Sequence, residues 1–111
     1  MRSVLCALAA SSGLWLGVQP ALAGDLAAGR RVAQQCATCH GMDGIAQMPI
    51  APNLAGENQT YLVTQLKAYR TGKREHEIMS IVAGSLSDQQ IADVAAWYAA
   101  IQVTVTVPTL P

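Results

Sequence analysis

Apolar and polar positions divide the chain into an opening apolar run, three stretches of helical periodicity and a closing strand-like alternation. Residues 4–18 are almost continuously apolar, interrupted only by small residues. Beyond them, Asp25 stands where a helix N-cap is expected, ahead of a first helix over residues 26–35. Gly29 lies inside that helix, where it costs about 1 kcal/mol relative to alanine. A glycine there suits the close approach of another helix, with the C-terminal one as the expected partner, and Val32 is the expected inward-facing residue. Residues 41–56 are rich in Gly, Pro and Asn and predict an irregular loop stiffened by Pro49 and Pro52. A second helix is expected from Asn58 or Gln59 to Gly72, with Leu62, Leu66 and Tyr69 on one face. Residues 73–79 predict a loop and residues 80–83 a short helical or irregular piece, broken at Gly84. Ser87 and Gln90 then form a capping box for a last helix, along which Ile91, Val94, Ala95, Tyr98 and Ile101 recur at helical spacing. The alternation of residues 103–111 has no second strand to pair with, so an extended tail is expected. The predicted fold class is all-α, with three to four helices.

The opening run reads as an address. Arg2 supplies a positive start, and Ala21-Leu22-Ala23 matches the small-x-small pattern of signal-peptidase cleavage, predicting removal of residues 1–23. A retained span would need roughly 20 apolar residues, and Pro20 interrupts the run. Residues 24–102 then make one small domain, followed by the tail. A domain of that size often relies on a metal, disulfide or cofactor for stability. Cys6 lies in the leader, so Cys36 and Cys39 are the only thiols left. Seven Lys plus Arg balance seven Asp plus Glu, whereas nucleic-acid binding calls for a basic stripe. The basic end of the second helix, Lys67, Arg70, Lys73 and Arg74, suits the negative end of its dipole.

The chemistry is concentrated in Cys36-Ala37-Thr38-Cys39-His40. C-x-x-C-H is the attachment signature of covalent c-type haem. Thiols spaced three residues apart can add to the vinyl groups of one porphyrin, and the following histidine is carried under the iron. A redox dithiol would call for a preceding strand and a βαβ context. A zinc cage needs a second ligand pair, and beyond Cys39 the chain offers no cysteine and a single histidine, His76.

Cys36 to Gly41, then Pro52-Asn53-Leu54-Ala55-Gly56, a helix, a methionine and a last helix opened by Leu86-Ser87-Asp88 resemble the pattern of class I bacterial cytochromes c. The likeness spans residues 24–101 and is strongest to small periplasmic monohaem members and to single domains of dihaem ones. It implies haem c with its iron, His40 as proximal ligand held by the Pro52 carbonyl, Leu54 in the haem crevice, and Trp97 packed on the N-terminal helix. For the sixth ligand the residues offer Met42, Met48, Met79 and His76. Met42 follows His40 too closely to reach the other face, and Met48 precedes the proximal loop. Met79 comes after a whole helix and matches the family methionine, with His76 as the runner-up and otherwise a solvated loop residue.

The expected function is single-electron transfer between redox protein partners by a soluble, exported, periplasmic monohaem carrier that is not an enzyme. The alternative is a haem-bearing subunit of a larger dehydrogenase or oxidase complex, and the expected state is a monomer or such a subunit without stable membrane insertion. His plus Met ligation closes both axial positions and raises the potential. A peroxidase or gas sensor would need an open distal site, and no distal acid or base constellation accompanies the motif.

Overall fold

Helix α1, Leu26–Ala33, begins where the Asp25 carboxylate accepts the Ala28 N–H at 2.6 Å. The structure, a computed structural model, describes residues 22–111. The predicted leader therefore lies almost wholly outside the described residues. The α1 helix stops two residues short of the expected Gln35 because its end tightens. Gln34, Gln35 and Cys36 donate to the carbonyls of Arg31, Val32 and Ala33, a 3₁₀-like pattern that leads into the single turn of α2, Ala37–His40.

The inward face of α1 is narrower than expected. Gly29 and Ala33 are its buried residues, while Val32 is half-buried at the margin of the core. The reason is the crossing with α5, Asp88–Ala99. A Cβ on Gly29 would collide with the Asp93 carbonyl oxygen and come within 3.0 Å of Trp97 Cβ. Small residues four apart let the two backbones close up, and a branched side chain such as Val32 is displaced to the side. The crossing is also pinned by a polar group. Buried Asp93 accepts the Asp25 N–H and the Gln89 side-chain amide, each at 2.8 Å, so its desolvation is compensated.

Helix α3, Gln59–Thr71, starts at an Asn58 cap that accepts the Tyr61 N–H at 2.9 Å and ends at Gly72, whose φ of +79° is the left-handed terminator. A short α4, Met79–Gly84, follows, with Met79 as its first helical residue rather than the last residue of the loop. The capping box of α5 is complete: Ser87 Oγ accepts the Gln90 N–H, and Gln90 Oε1 accepts the Ser87 N–H. Helix α5 packs on α1 and α3, and α3 also carries α4. Ala33, Leu62, Val94, Ala95 and Tyr98 form the buried cluster between them. Every regular element among the described residues is helical. Among the described residues the tail takes no strand pairing, and Val105, Val107 and Leu110 stand 76–90% exposed.

Candidate functional site

Helices α2, α3, α4 and α5 and the loop between α2 and α3 enclose an open-mouthed cavity of about 360 Å³. Cys36, Cys39, His40, Pro52, Leu54 and Met79 all line it, so the structure brings every expected site residue to one place.

His40 ends α2 and is 8% exposed. Its Nδ1 lies 2.8 Å from the Pro52 carbonyl oxygen. A carbonyl can only accept, so Nδ1 carries a proton, and in the neutral ring Nε2 is the nitrogen with the lone pair. Among the described residues no group bonds to Nε2 and no buried side-chain atom is left unpaired, so Nε2 opens to the cavity. The loop that presents Pro52 is tied down along its length. Gln47 N–H donates to Cys39 O, Ala46 N–H to the Asn53 side chain, and Leu54 N–H to Gly44 O at 2.7 Å. Gly44 adopts φ +72°, and a Cβ there would strike the Ala55 backbone, so only glycine permits this closure.

Helix α5 supplies two anchors that periodicity alone did not reveal. The buried Tyr98 hydroxyl donates to Gly41 O at 2.9 Å, and the Trp97 indole N–H donates to Met42 O at 3.1 Å. Both carbonyls immediately follow His40. The available signal was Tyr98 itself: a phenol on the core stripe of a helix needs a partner for its hydroxyl once buried. Burial pushes the Tyr98 phenol well above its ordinary value, with the charges of Cys36 and Asp43 adding to the effect, so it remains a donor.

The two thiols stand at the same mouth. Burial, then the proximity of Cys39, pushes the Cys36 thiol up to about 11. It is therefore a neutral thiol that lies 3.8 Å from Val32 O. Cys39 Sγ lies 3.4 Å from Met48 Sδ. Met48 is thus on the cysteine side and Met42 is packed against the core cluster.

Helix α4 contributes Met79 to the cavity wall, and His76 lines it too. His76 is exposed, as expected for a loop residue, but it is not free. Its Nδ1 accepts the N–H groups of Ile78 at 3.2 Å and Met79 at 3.3 Å. An amide N–H can only donate, so here Nδ1 holds the lone pair and Nε2 holds the proton. In that tautomer the outward nitrogen has nothing to offer a metal.

The donor set fits a covalently held haem: two adjacent thiols, one imidazole lone pair, a thioether on another wall, and walls that are mainly apolar, such as Leu62, Leu66 and Val94. The cytochrome c family model matches residues 26–101, which is most of the chain. The chain belongs to the cytochrome c family. It is 48% identical over 79 residues to cytochrome c-554(548) of Halomonas halodenitrificans, covering 68% of this chain and 95% of that relative. It is 40% identical over 105 residues to cytochrome c4 of Pseudomonas aeruginosa, covering 95% of this chain and 51% of the relative. The solved structure of reduced recombinant cytochrome c4 from Pseudomonas stutzeri superposes with a TM-score of 0.68 at 34% identity, over 75% of this chain and 48% of that one. The chain thus spans about half the length of the cytochrome c4 relatives it matches. The cofactor of this cytochrome c is covalently attached haem c with its iron, and its function is electron transfer rather than catalysis.

Proposed function

We propose that the chain is a periplasmic monohaem carrier, exported by residues 1–23, in which Cys36 and Cys39 hold haem c as thioethers and His40 and Met79 are the axial ligands. Pro52 orients the proximal imidazole, and Leu54 lines the crevice. The haem supplies reversible one-electron exchange; the chain's own residues hold it, exclude water from it and choose its ligands. The observation that carries this reading is the His40 Nδ1 contact with Pro52 O at 2.8 Å, which makes Nε2 the ring nitrogen available to a ligand in the cavity. A ring so held is oriented before any ligand arrives, and a hydrogen bond of this kind raises the basicity of the other nitrogen. The leader pattern favours export. Among the described residues no helix is long and apolar enough to cross a membrane.

Met79 is favoured as sixth ligand because it is the sulfur that α4 brings to the cavity, whereas Met42 packs against the core cluster, Met48 lies against Cys39, and the His76 lone pair is engaged by backbone N–H groups. A thioether binds ferrous iron better than ferric iron and so raises the potential. Substituting Met79→Ala in the haem-loaded protein is expected to abolish the sulfur-to-iron charge-transfer band of the oxidised spectrum, allow carbon monoxide to bind the reduced form, and lower the potential. A variant that keeps the band and excludes carbon monoxide overturns the assignment.

A further inference from the structure

The stretch just before Met79 buries few side chains, although the helix α4 that follows packs on α3. Glu75, His76, Glu77 and Ile78 are all exposed, and Ile81 is 76% exposed. The Ile78 N–H and Met79 N–H open the first turn of α4, where no preceding residue of the helix can accept them. Their acceptor is the His76 ring, through Nδ1. The bond is reciprocated: His76 N–H donates to Ser80 Oγ at 3.1 Å, while Ser80 N–H donates to His76 O at 3.0 Å. Ile78, the residue that precedes α4, offers no side-chain cap of its own, and the His76 ring two residues ahead of it serves these N–H groups in its place. The ring is steadied from the other side. Tyr69 meets it edge-on with centroids 6.5 Å apart, and the Arg74 guanidinium lies 4.6 Å over the Tyr69 ring while also donating to Gln65 Oε1. Tyr69 and Gln65 both belong to α3, so this chain of contacts fastens the Met79 turn to a helix that is itself part of the core.

We infer that His76 is a positioning residue for Met79: its Nδ1 caps the turn that carries the methionine and sets the backbone from which the thioether reaches the cavity. This rests on the reading of Met79 as the sixth ligand. An exposed histidine beside a ligand position thereby acquires a role that requires neither coordination nor charge, only an acceptor atom two to three residues ahead of the N–H groups it serves. The residues that can substitute for it follow from that chemistry. Asparagine is a good N-cap with an acceptor oxygen, whereas alanine has none.

The test uses the haem-loaded full chain and four proteins: wild type, Met79→Ala, His76→Ala and His76→Asn. The readouts are the thioether charge-transfer band and the apparent affinity of the oxidised form for added imidazole, which must displace Met79. Loss of a cap by substitution to alanine is typically worth about 1 kcal/mol. At 1.4 kcal/mol per tenfold, His76→Ala is expected to raise the imidazole affinity about fivefold and weaken the band, and His76→Asn to restore both toward wild type. Wild-type behaviour of His76→Ala overturns the inference. So does an asparagine variant as impaired as the alanine one, since the imidazole itself, not its acceptor atom, would then be required. Met79→Ala reports separately on the ligand: if it leaves the band in place, the Met79 reading falls whatever the His76 variants do.

Discussion

The proximal and distal walls of the cavity are built by different means. On the proximal side, the residues around His40 are held by bonds that reach far along the chain: Tyr98 to Gly41, Trp97 to Met42, and the Gly56 N–H to Tyr98 O. His40 itself bonds to a carbonyl twelve residues away. On the distal side, the Met79 turn is held by its own neighbours, His76 and Ser80, and by an aromatic edge from α3. The two histidines sharpen the contrast, since the same atom, Nδ1, donates in His40 and accepts in His76. One imidazole thereby keeps a free lone pair over the cavity and the other spends its lone pair on backbone. The His40 wall is thus fixed by bonds from several distant elements, whereas the Met79 turn rests on its own neighbours and on the packing of α4 against α3. Segments held by fewer long-range bonds open at lower free energy than the global fold, so, on the proposed ligation by Met79, ligand exchange is expected to begin there.

The largest effect on this comparison should come from the thiols. Replacing both Cys36 and Cys39 by alanine is expected to leave haem that acid acetone extracts, whereas the parent protein retains it. Intact mass in denaturant should show the parent as the chain from Gly24 plus one haem. A parent mass that lacks the haem, or that retains residues 1–23, breaks the corresponding part of the reading.

A smaller effect is expected from Tyr98→Phe. It removes one of two donors to the buried Gly41 O, leaving the Gly44 N–H at 3.2 Å, at a cost of about 0.5–1.5 kcal/mol. Since the anchor serves the proximal wall alone, thermal stability should fall while the thioether band persists. Loss of the band at unchanged stability would show that the two walls are not separable in this way.

The smallest effect belongs to the surface. Arg70 bonds Leu86 O and pairs with Asp88, tying α3 to the start of α5. The hydrogen bond and charge of Arg70, with a lesser contribution from Lys67, hold the Asp88 carboxyl below its ordinary value. A carboxylate lowered on folding adds stability above its unfolded value of about 3.9 and loses it as pH falls through the lowered one. The pair is solvent-exposed and its contribution correspondingly slight. Comparing wild type with Asp88→Asn, the small difference in stability should be present at pH 7, shrink with added salt and vanish in acid. A difference that persists in acid would assign Asp88 some other role.

Much of the architecture was legible because it is encoded locally. Asp25, Asn58 and the Ser87–Gln90 box mark helix starts through bonds to N–H groups three residues on, and Gly72 marks a stop through its own φ. The attachment motif is likewise contiguous. Less legible were features set by distant partners. Val32 yielded the inner face of α1 to Ala33 because the depth of burial there depends on how closely α5 approaches over Gly29. Trp97 was expected against the N-terminal helix and is found there, but its bond to Met42 depends on where the loop after His40 passes.

What the sequence by itself determined is the all-helical class, the order and ends of the main helices, and the identity of the haem-bearing motif, because each rests on spacings of a few residues. Only the tertiary structure decided which nitrogen of each histidine keeps its lone pair. That choice depends on whether a carbonyl or an amide N–H lies beside Nδ1. His40 meets the first because a glycine-hinged loop closes back on it, and His76 meets the second because the chain turns at once into α4.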